Sequence, residues 1–216
     1  MRYKLAIFDM DGTILNTLED IRDAANHALR EAGFPERSTE EVRAVVGNGA
    51  LQLITESAPA GTPAPVCKEL LATFQTYYRA HSNDKTRAYE GVPKLLRDLK
   101  DAGVTLAVVS NKPDAAVPPL CDLYFKDLFD LAIGERGSLQ RKPAPDMVEY
   151  ALRTLGFEKQ DAVYIGDSEV DVRTAGNAGL DLIAVNWGFR TVEELKKAGA
   201  ETIVSTPGEV LRLIHS

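Results

Sequence analysis

Short apolar runs, separated by helix-like stripes, set the rhythm of the chain. Tyr3 to Phe8 is apolar apart from Lys4 and barely alternates, which is the pattern of a strand buried on both faces of a parallel sheet. Val104 to Val109, Leu131 to Ile133, Ala162 to Ile165 and Leu180 to Val185 have the same character, with a weaker run at Thr202 to Val204. Between them lie helical patterns. Pro93 to Ala102 carries Leu95, Leu96, Leu99 and Ala102 on one stripe, with Pro93 in the first turn and Gly103 as the stop. Asp146 to Leu155 places Met147, Tyr150, Ala151, Thr154 and Leu155 at i, i+3, i+4, i+7 and i+8, and Gly156 ends it. Strands alternating with helices predict crossover units, hence an α/β fold with a parallel sheet covered on both faces.

Residues 9 to 103 break this alternation, because no convincing strand falls there. Glu19 to Ala32 aligns Ile21, Ala24, Ala25, Ala28, Leu29 and Ala32 on one helical face, with Thr17 as the expected cap and Gly33 as the stop. Further helices are expected at Thr39 to Val46, Ala50 to Ser57 and Val66 to Ala80, the last set off by the Pro/Gly-rich Pro59 to Pro65. The expected organisation is a core of residues 1–14 and 87–216 with an inserted helical domain at 15–86. Two links, around Ile14 to Thr17 and Asn83 to Gly91, make hinge motion between the parts an expectation.

Composition narrows the function classes. The 216 residues are 44% hydrophobic and 26% charged, near the averages of a globular protein and unlike disorder, collagen or coiled coil. Twenty-five Lys and Arg against 32 Asp and Glu give a net charge of -7, which disfavours nucleic acid and anionic membrane as partners. No apolar stretch approaches the ~20 residues of a spanning helix. Cys67 and Cys121 fit neither a disulfide framework nor a zinc site and are expected to be buried free thiols. His27, His81 and His215 form no metal-ligand pattern. With the first strand-like run starting at Tyr3 and no signal region ahead of it, a cytoplasmic setting is expected, as a monomer or homodimer.

Chemistry concentrates where the apolar runs stop. The first run ends in Phe8-Asp9-Met10-Asp11-Gly12-Thr13, the second in Val109-Ser110-Asn111-Lys112, and the one at 162–165 in Ile165-Gly166-Asp167-Ser168-Glu169-Val170-Asp171, while Arg141-Lys142-Pro143-Ala144-Pro145 precedes a helix. In an open parallel sheet, ligands bind beyond the carboxyl ends of the strands. Each segment alone is ordinary: Asp-Gly makes turns, Ser-Asn makes loops, a Lys before Pro is a solvated charge, and paired aspartates cap helices. Taken together and in this order, they resemble the four motifs of the haloacid dehalogenase superfamily. The resemblance covers the whole chain and implies a Rossmann-like core with an inserted helical cap. Asp9-Met10-Asp11-Gly12-Thr13-Ile14-Leu15, Val46-Gly47-Asn48-Gly49-Ala50 and Asn186-Trp187-Gly188 make it most similar to the phosphoglycolate phosphatase group. Two departures stand out: Asn16-Thr17 where the family often has Asp-Ser, and Pro118-Pro119 interrupting a stretch that is usually a helix.

Phosphoryl transfer needs an in-line nucleophile, a proton donor for the leaving oxygen, and positive charge at the phosphoryl oxygens. Asp9 is expected to be the nucleophile, forming an aspartyl-phosphate. Asp11 would protonate the leaving group and then deprotonate water, so the two carboxyl groups need environments that pull their pKa values apart. Asp9, Asp167, Asp171 and a substrate phosphate crowd anions together, and each unit pair at 4 Å costs about 4 kcal/mol at an effective dielectric near 20. A divalent cation offsets this, and an all-oxygen ligand set suits Mg2+. By resemblance the cation is held by the Asp9 carboxylate, the Asp11 backbone carbonyl and the Asp167 carboxylate, with Asp171 acting through water; helix-start charge is the alternative role for Asp171. Ser110, the Asn111 backbone, Thr13 and Lys142 would cradle the phosphate.

The core grips only the phosphoryl group, so substrate choice is expected in the cap. Gly47-Asn48-Gly49 is either a loop reaching over the crevice or a plain helix–helix turn. Arg79 and Lys112 read as solvated surface charges that could also meet an anionic leaving group. The expected activity is magnesium-dependent hydrolysis of a small phosphorylated metabolite, with 2-phosphoglycolate as the first candidate. Asp11 disfavours dehalogenase and phosphonate chemistry, whose relatives lack an acid there. A phosphosugar mutase is the main rival, and mutase relatives carry a His near the position of Ile21. Pyrophosphate hydrolysis and a catalytically silent phosphate-binding module are the remaining alternatives.

Overall fold

The computed structural model describes residues 2–216; Met1, the first residue of the expected core segment 1–14, lies outside the described residues. In chain order the elements are β1 (Leu5–Phe8), β2 (Leu15–Asn16), α1 (Leu18–Glu31), α2 (Thr39–Val45), α3 (Ala50–Ser57), α4 (Ala64–His81), β3 (Arg87–Ala88), α5 (Val92–Asp101), β4 (Thr105–Pro113), α6 (Val117–Phe125), β5 (Leu131–Glu135), α7 (Asp146–Leu155), β6 (Ala162–Gly166), α8 (Glu169–Ala178), β7 (Asp181–Val185), α9 (Val192–Ala198), β8 (Ile203–Val204) and α10 (Pro207–His215). They form two compact units, Met1–Leu15 with Ala88–Ser216, and Asn16–Arg87.

The larger unit is built on a six-stranded sheet in the order β5-β4-β1-β6-β7-β8, with every pairing parallel. It is an α/β, Rossmann-like fold. Side-chain alternation explains why its strands read as unbroken apolar runs. Ala6, Phe8, Leu106, Val108, Val163 and Ile165 enter one core with Leu95, Leu96 and Leu99 of α5, Leu120 of α6 and Val210 and Ile214 of α10. Their neighbours Leu5, Ile7, Ala107, Val109, Ala162 and Tyr164 enter a second core with Met147, Val148 and Ala151 of α7 and Ala175 and Ala178 of α8. Both faces are covered, so no strand position in the middle of the sheet can be polar without a partner.

The smaller unit is helical. On α1 the stripe Ile21, Ala24, Ala25, Ala28 and Leu29 is buried. Asn26 on the same helix is buried too, and its amide exchanges two hydrogen bonds with the Arg37 backbone at 2.8 and 2.9 Å. Asp20 accepts backbone N–H groups of Lys85 at 2.9 Å and Thr86 at 2.8 Å, which fastens the returning segment to the start of α1. Cys67 and Cys121 are buried free thiols. None of the described helices is long and apolar enough to cross a membrane.

Three sequence expectations are corrected here. Thr17 stands at the N-cap position of α1, but its backbone is not in the extended region and its side chain makes no cap bond; the hydroxyl is buried without a hydrogen-bond partner. Pro118-Pro119 do not interrupt a helix: they lie in the first turn of α6, where the missing N–H groups would have no intrahelical acceptor anyway. For the same reason α4 starts at Ala64, with Pro65 in its first turn.

Candidate active site

The central strands β4, β1 and β6 are neighbours, and Phe8 pairs with both Val108 and Ile165. Their carboxyl ends therefore lie side by side, about 4.8 Å apart per strand. Beside β1 the strand order also reverses, since β4 and β5 continue to one side and β6 to β8 to the other. This is the switch point at which an open parallel sheet leaves a crevice. Asp9 follows β1, Ser110 and Asn111 lie in the C-terminal half of β4, and Asp167 follows β6.

Lys142 sits at the centre of the group, 2% exposed. The Asn111 side chain holds its backbone on both sides, accepting from Lys142 N–H at 2.8 Å and donating to the Lys142 carbonyl at 3.0 Å. The ammonium then has three partners: Asp9 Oδ1 at 2.8 Å, Asp171 Oδ1 at 2.8 Å and the Tyr164 hydroxyl at 3.0 Å. Burial alone would drive the Lys142 pKa down, but the Asp171 and Asp9 carboxylates outweigh it and hold the pKa well above its ordinary value. Lys142 is thus a fixed positive charge. Asp171 is saturated: Oδ1 takes Lys142 and Tyr164, while Oδ2 accepts from the N–H groups of Asp167 at 3.2 Å and Ser168 at 3.1 Å and the Ser168 hydroxyl at 2.6 Å. The Ser168/Asp171 exchange is also the capping box that starts α8.

Asp9 and Asp167 carry the electrostatic strain of the site. Burial, joined by the Asp171 and Asp11 carboxylates and opposed by Lys142, pushes the Asp9 carboxyl up to about 7. Asp167 lies well above the ordinary carboxylate range, mainly through burial and then through Asp171 and Asp9. Thr13 Oγ1 donates to Asp167 at 3.0 Å and the Phe189 N–H at 2.7 Å, too little to offset the repulsion. Two glycines let backbone crowd this carboxylate. Gly12, at φ +88°, would drive a Cβ into the Asp167 carboxylate, and a Cβ on Gly188 would meet both Asp167 and the Gly12 carbonyl. Ligand oxygens of Asp9, Asp167 and Asp171 all lie within 4.8 Å of one another. Three carboxylates this close, with the pKa values of Asp9 and Asp167 raised, fit a hard divalent cation.

Asp11 is placed differently. It accepts a forked contact from Lys112, with Nζ 2.9 Å from Oδ1 and 3.1 Å from Oδ2. Lys112 is therefore no solvated surface charge: its side chain is 2% exposed. Arg79, by contrast, is exposed. The Ser110 hydroxyl is buried and accepts the Lys112 N–H at 3.2 Å. Gly47-Asn48-Gly49 forms the turn between α2 and α3 in the smaller unit, with Gly49 at the N-cap of α3 in the left-handed region at φ 84°. Asp9, Thr13, Lys142, Asp167 and Asp171 are joined by direct contacts, with Asp11, Ser110 and Asn111 beside them. Sequence reasoning missed Tyr164, Ser168 and the Phe189 N–H. Tyr164 was hidden inside an apolar strand run, where a phenol reads as packing.

Comparison with known proteins agrees with the geometry. The profile of the haloacid dehalogenase-like hydrolases matches residues 6–185. A phosphoglycolate phosphatase of Pseudomonas putida is 33% identical over 192 residues, which is 86% of this chain and 70% of that protein. A crystal structure from Lactobacillus delbrueckii subsp. bulgaricus, provisionally assigned as a phosphoglycolate phosphatase, is 38% identical with a TM-score of 0.95 over 99% of both chains. The Rhodobacter sphaeroides protein CbbY, solved in complex with phosphate, is 27% identical with a TM-score of 0.74 over 96% of both chains. An acidic crevice at the switch point of a parallel sheet, and a family profile spanning most of the chain, place the protein among the haloacid dehalogenase-like hydrolases.

Proposed function

We propose that the protein is a magnesium-dependent phosphatase that hydrolyses a small phosphomonoester, first of all 2-phosphoglycolate, through an aspartyl-phosphate on Asp9. The observation that carries this reading is the Lys142 ammonium 2.8 Å from the Asp9 carboxylate, with the buried Asp167 alongside. That arrangement supplies a nucleophile and a fixed cation at one point and leaves a carboxylate cluster in need of a second positive charge. The name shared by the relatives points to the same substrate.

Asp9 Oδ attacks phosphorus in line with the ester oxygen. The P–O ester bond breaks, and Asp11 gives its proton to the departing oxygen. In the second half, Asp11 takes a proton from water, the water oxygen bonds to phosphorus, and the Asp9–phosphorus bond breaks, which returns both carboxyl groups to their starting states. The Asp9 and Asp167 carboxylates and the Asp11 carbonyl would hold Mg2+. When bound, it stabilises the anionic form of Asp9 and the charge developing on the phosphoryl oxygens. Lys142 neutralises those oxygens mainly as a charge, since its hydrogens are already committed. Ser110, Thr13 and the Asn111 backbone complete the cradle. Asp171 has no lone pair to spare for a direct metal bond, so it acts through water and by holding Lys142. The Asn16–Arg87 unit serves as the cap, with Gly47-Asn48-Gly49 as its candidate substrate loop. Ile21, a buried residue of α1, cannot carry a proton as the His of mutase relatives does, which favours hydrolysis over phosphosugar isomerisation.

Phosphate release from an aryl phosphate, measured with magnesium and with chelator, tests the reading. Activity is expected only with the metal, and Asp9→Asn is expected to remove it by at least about 10³-fold. Turnover indifferent to chelation, or full activity in Asp9→Asn, would overturn the proposal.

A further inference from the structure

The geometry points to Lys112 as the residue that selects the leaving group: it exchanges its ion pair with Asp11 for one with a carboxylate on the departing alcohol. The inference rests on the phosphatase reading above and names the substrate class of the same site, phosphomonoesters with an anionic group next to the ester-bearing carbon.

The sequence Ser110-Asn111-Lys112-Pro113 continues β4 past its regular pairing, and the register with β5 shifts between Val109 and Pro113. Lys112 lies within this irregular stretch, and its side chain reaches Asp11 beyond the carboxyl end of β1. The Lys112 side chain is 2% exposed, and its ammonium meets both oxygens of Asp11, which is 16% exposed. A buried ammonium is tolerated because a carboxylate neutralises it. Asp11, however, cannot keep both oxygens on Lys112 while it exchanges a proton with an ester oxygen, which needs a hydrogen-bond approach of about 2.6–3.2 Å. The step that turns Asp11 toward substrate weakens the neutralisation of a buried cation. An anion arriving with the substrate restores it, and Asp11, released from the ion pair, takes from solvent water the proton that it then gives to the ester oxygen.

Reach favours a carboxylate. Asp11 must touch the ester oxygen, and Lys112 touches Asp11. In 2-phosphoglycolate a single methylene separates ester oxygen from carboxylate carbon, so the carboxylate falls within the volume that the ammonium already commands. An uncharged alcohol at that place leaves Lys112 paired with Asp11 and holds the acid back. Recognition of the leaving group and release of the acid become one event. This also explains how a core that grips the phosphoryl group could contribute to choosing what the phosphoryl group is attached to. Lys142, an equally buried ammonium, cannot play this part, since Asp9, Asp171 and Tyr164 take its three hydrogens.

The test compares 2-phosphoglycolate with 2-hydroxyethyl phosphate, which replaces the carboxylate by a neutral hydroxymethyl group, on the full chain with magnesium. The unmodified protein should prefer the carboxylated ester in kcat/KM. Lys112→Met, which keeps most of the aliphatic stem, should reduce that preference about 30-fold or more, the scale of losing one partner of a buried charge pair. Lys112→Arg should retain most of it. Two results would overturn the inference while leaving the phosphatase reading intact: turnover of both esters by the unmodified protein with no preference, or loss of activity toward both by the same factor in Lys112→Met. The first needs no variant, so a poorly folding Lys112→Met does not shield the idea. Hydrolysis of neither ester would overturn the inference together with 2-phosphoglycolate as the substrate, while phosphate release from the aryl phosphate would still decide the phosphatase reading.

Discussion

Lys142 owes its charge to the residues around it, and Tyr164 is the least expected of them. The phenol is fully buried, accepts from Lys142 at 3.0 Å, and sits 3.2 Å from Asp171 Oδ1. Its pKa lies well above the ordinary value through burial, with Lys142 pulling the other way, so it remains a neutral hydroxyl. Tyr164→Phe removes hydrogen bonds to two charged groups, Lys142 and Asp171, each worth about 1.5–3 kcal/mol; a loss of stability of at least that size is expected in denaturant melts, and an unchanged midpoint would contradict it. Asp171→Asn should cost more, about 3–5 kcal/mol, because it leaves Lys142 under-neutralised in a buried place. At this scale sequence reasoning found the acids and Lys142 but misread two residues. Tyr164 was invisible because one polar atom on a large ring does not disturb an apolar run. Lys112 reads as solvated because a Lys after a strand usually is, and its partner Asp11 lies 101 positions away in the chain.

Secondary-structure elements were more legible than contacts. A strand buried on both faces leaves a run of apolar residues that ends abruptly, and the abrupt ends at Phe8, Val109 and Ile165 are also where the chemistry starts. The helix stripes of α1, α5 and α7 were readable for the same reason: one face must be buried. What stayed hidden depended on position within a turn. The prolines of α6 break a helix in its middle and start one in its first turn, and the sequence does not say which applies until the boundary is known. Likewise Thr17 has the right side chain for a cap and the wrong backbone. Two predictions belong here. Leu96 is fully buried on α5, and Leu96→Ala should lower stability by about 2–5 kcal/mol. Ser168→Ala removes both a cap and a 2.6 Å hydrogen bond to Asp171; about 1 kcal/mol of stability should be lost, together with activity, since Asp171 then holds Lys142 less firmly. Loss of stability alone would detach the capping box from the site.

For the whole molecule, the net charge of -7 makes a crevice of carboxylates costly, and that cost depends on pH. The Asp9 carboxyl rises from 3.8 to about 7 on folding, and Asp167 moves the same way. The folded state therefore holds these protons more tightly than the unfolded chain does. This contribution to stability is complete below about pH 4 and is lost as pH rises through 7. A cation that binds the ionised pair competes with those protons. Magnesium should accordingly raise the melting temperature more at pH 8 than at pH 5, and an equal or reversed shift would argue against metal binding at these acids. The most direct measurement is of the covalent step itself: acid-quenching the protein during turnover of a phosphomonoester with magnesium and mapping the phosphorylated peptide. The account predicts a hydroxylamine-labile acyl-phosphate on Asp9, absent in Asp9→Asn. Steady turnover with no such adduct, or an adduct on a different residue, would contradict it.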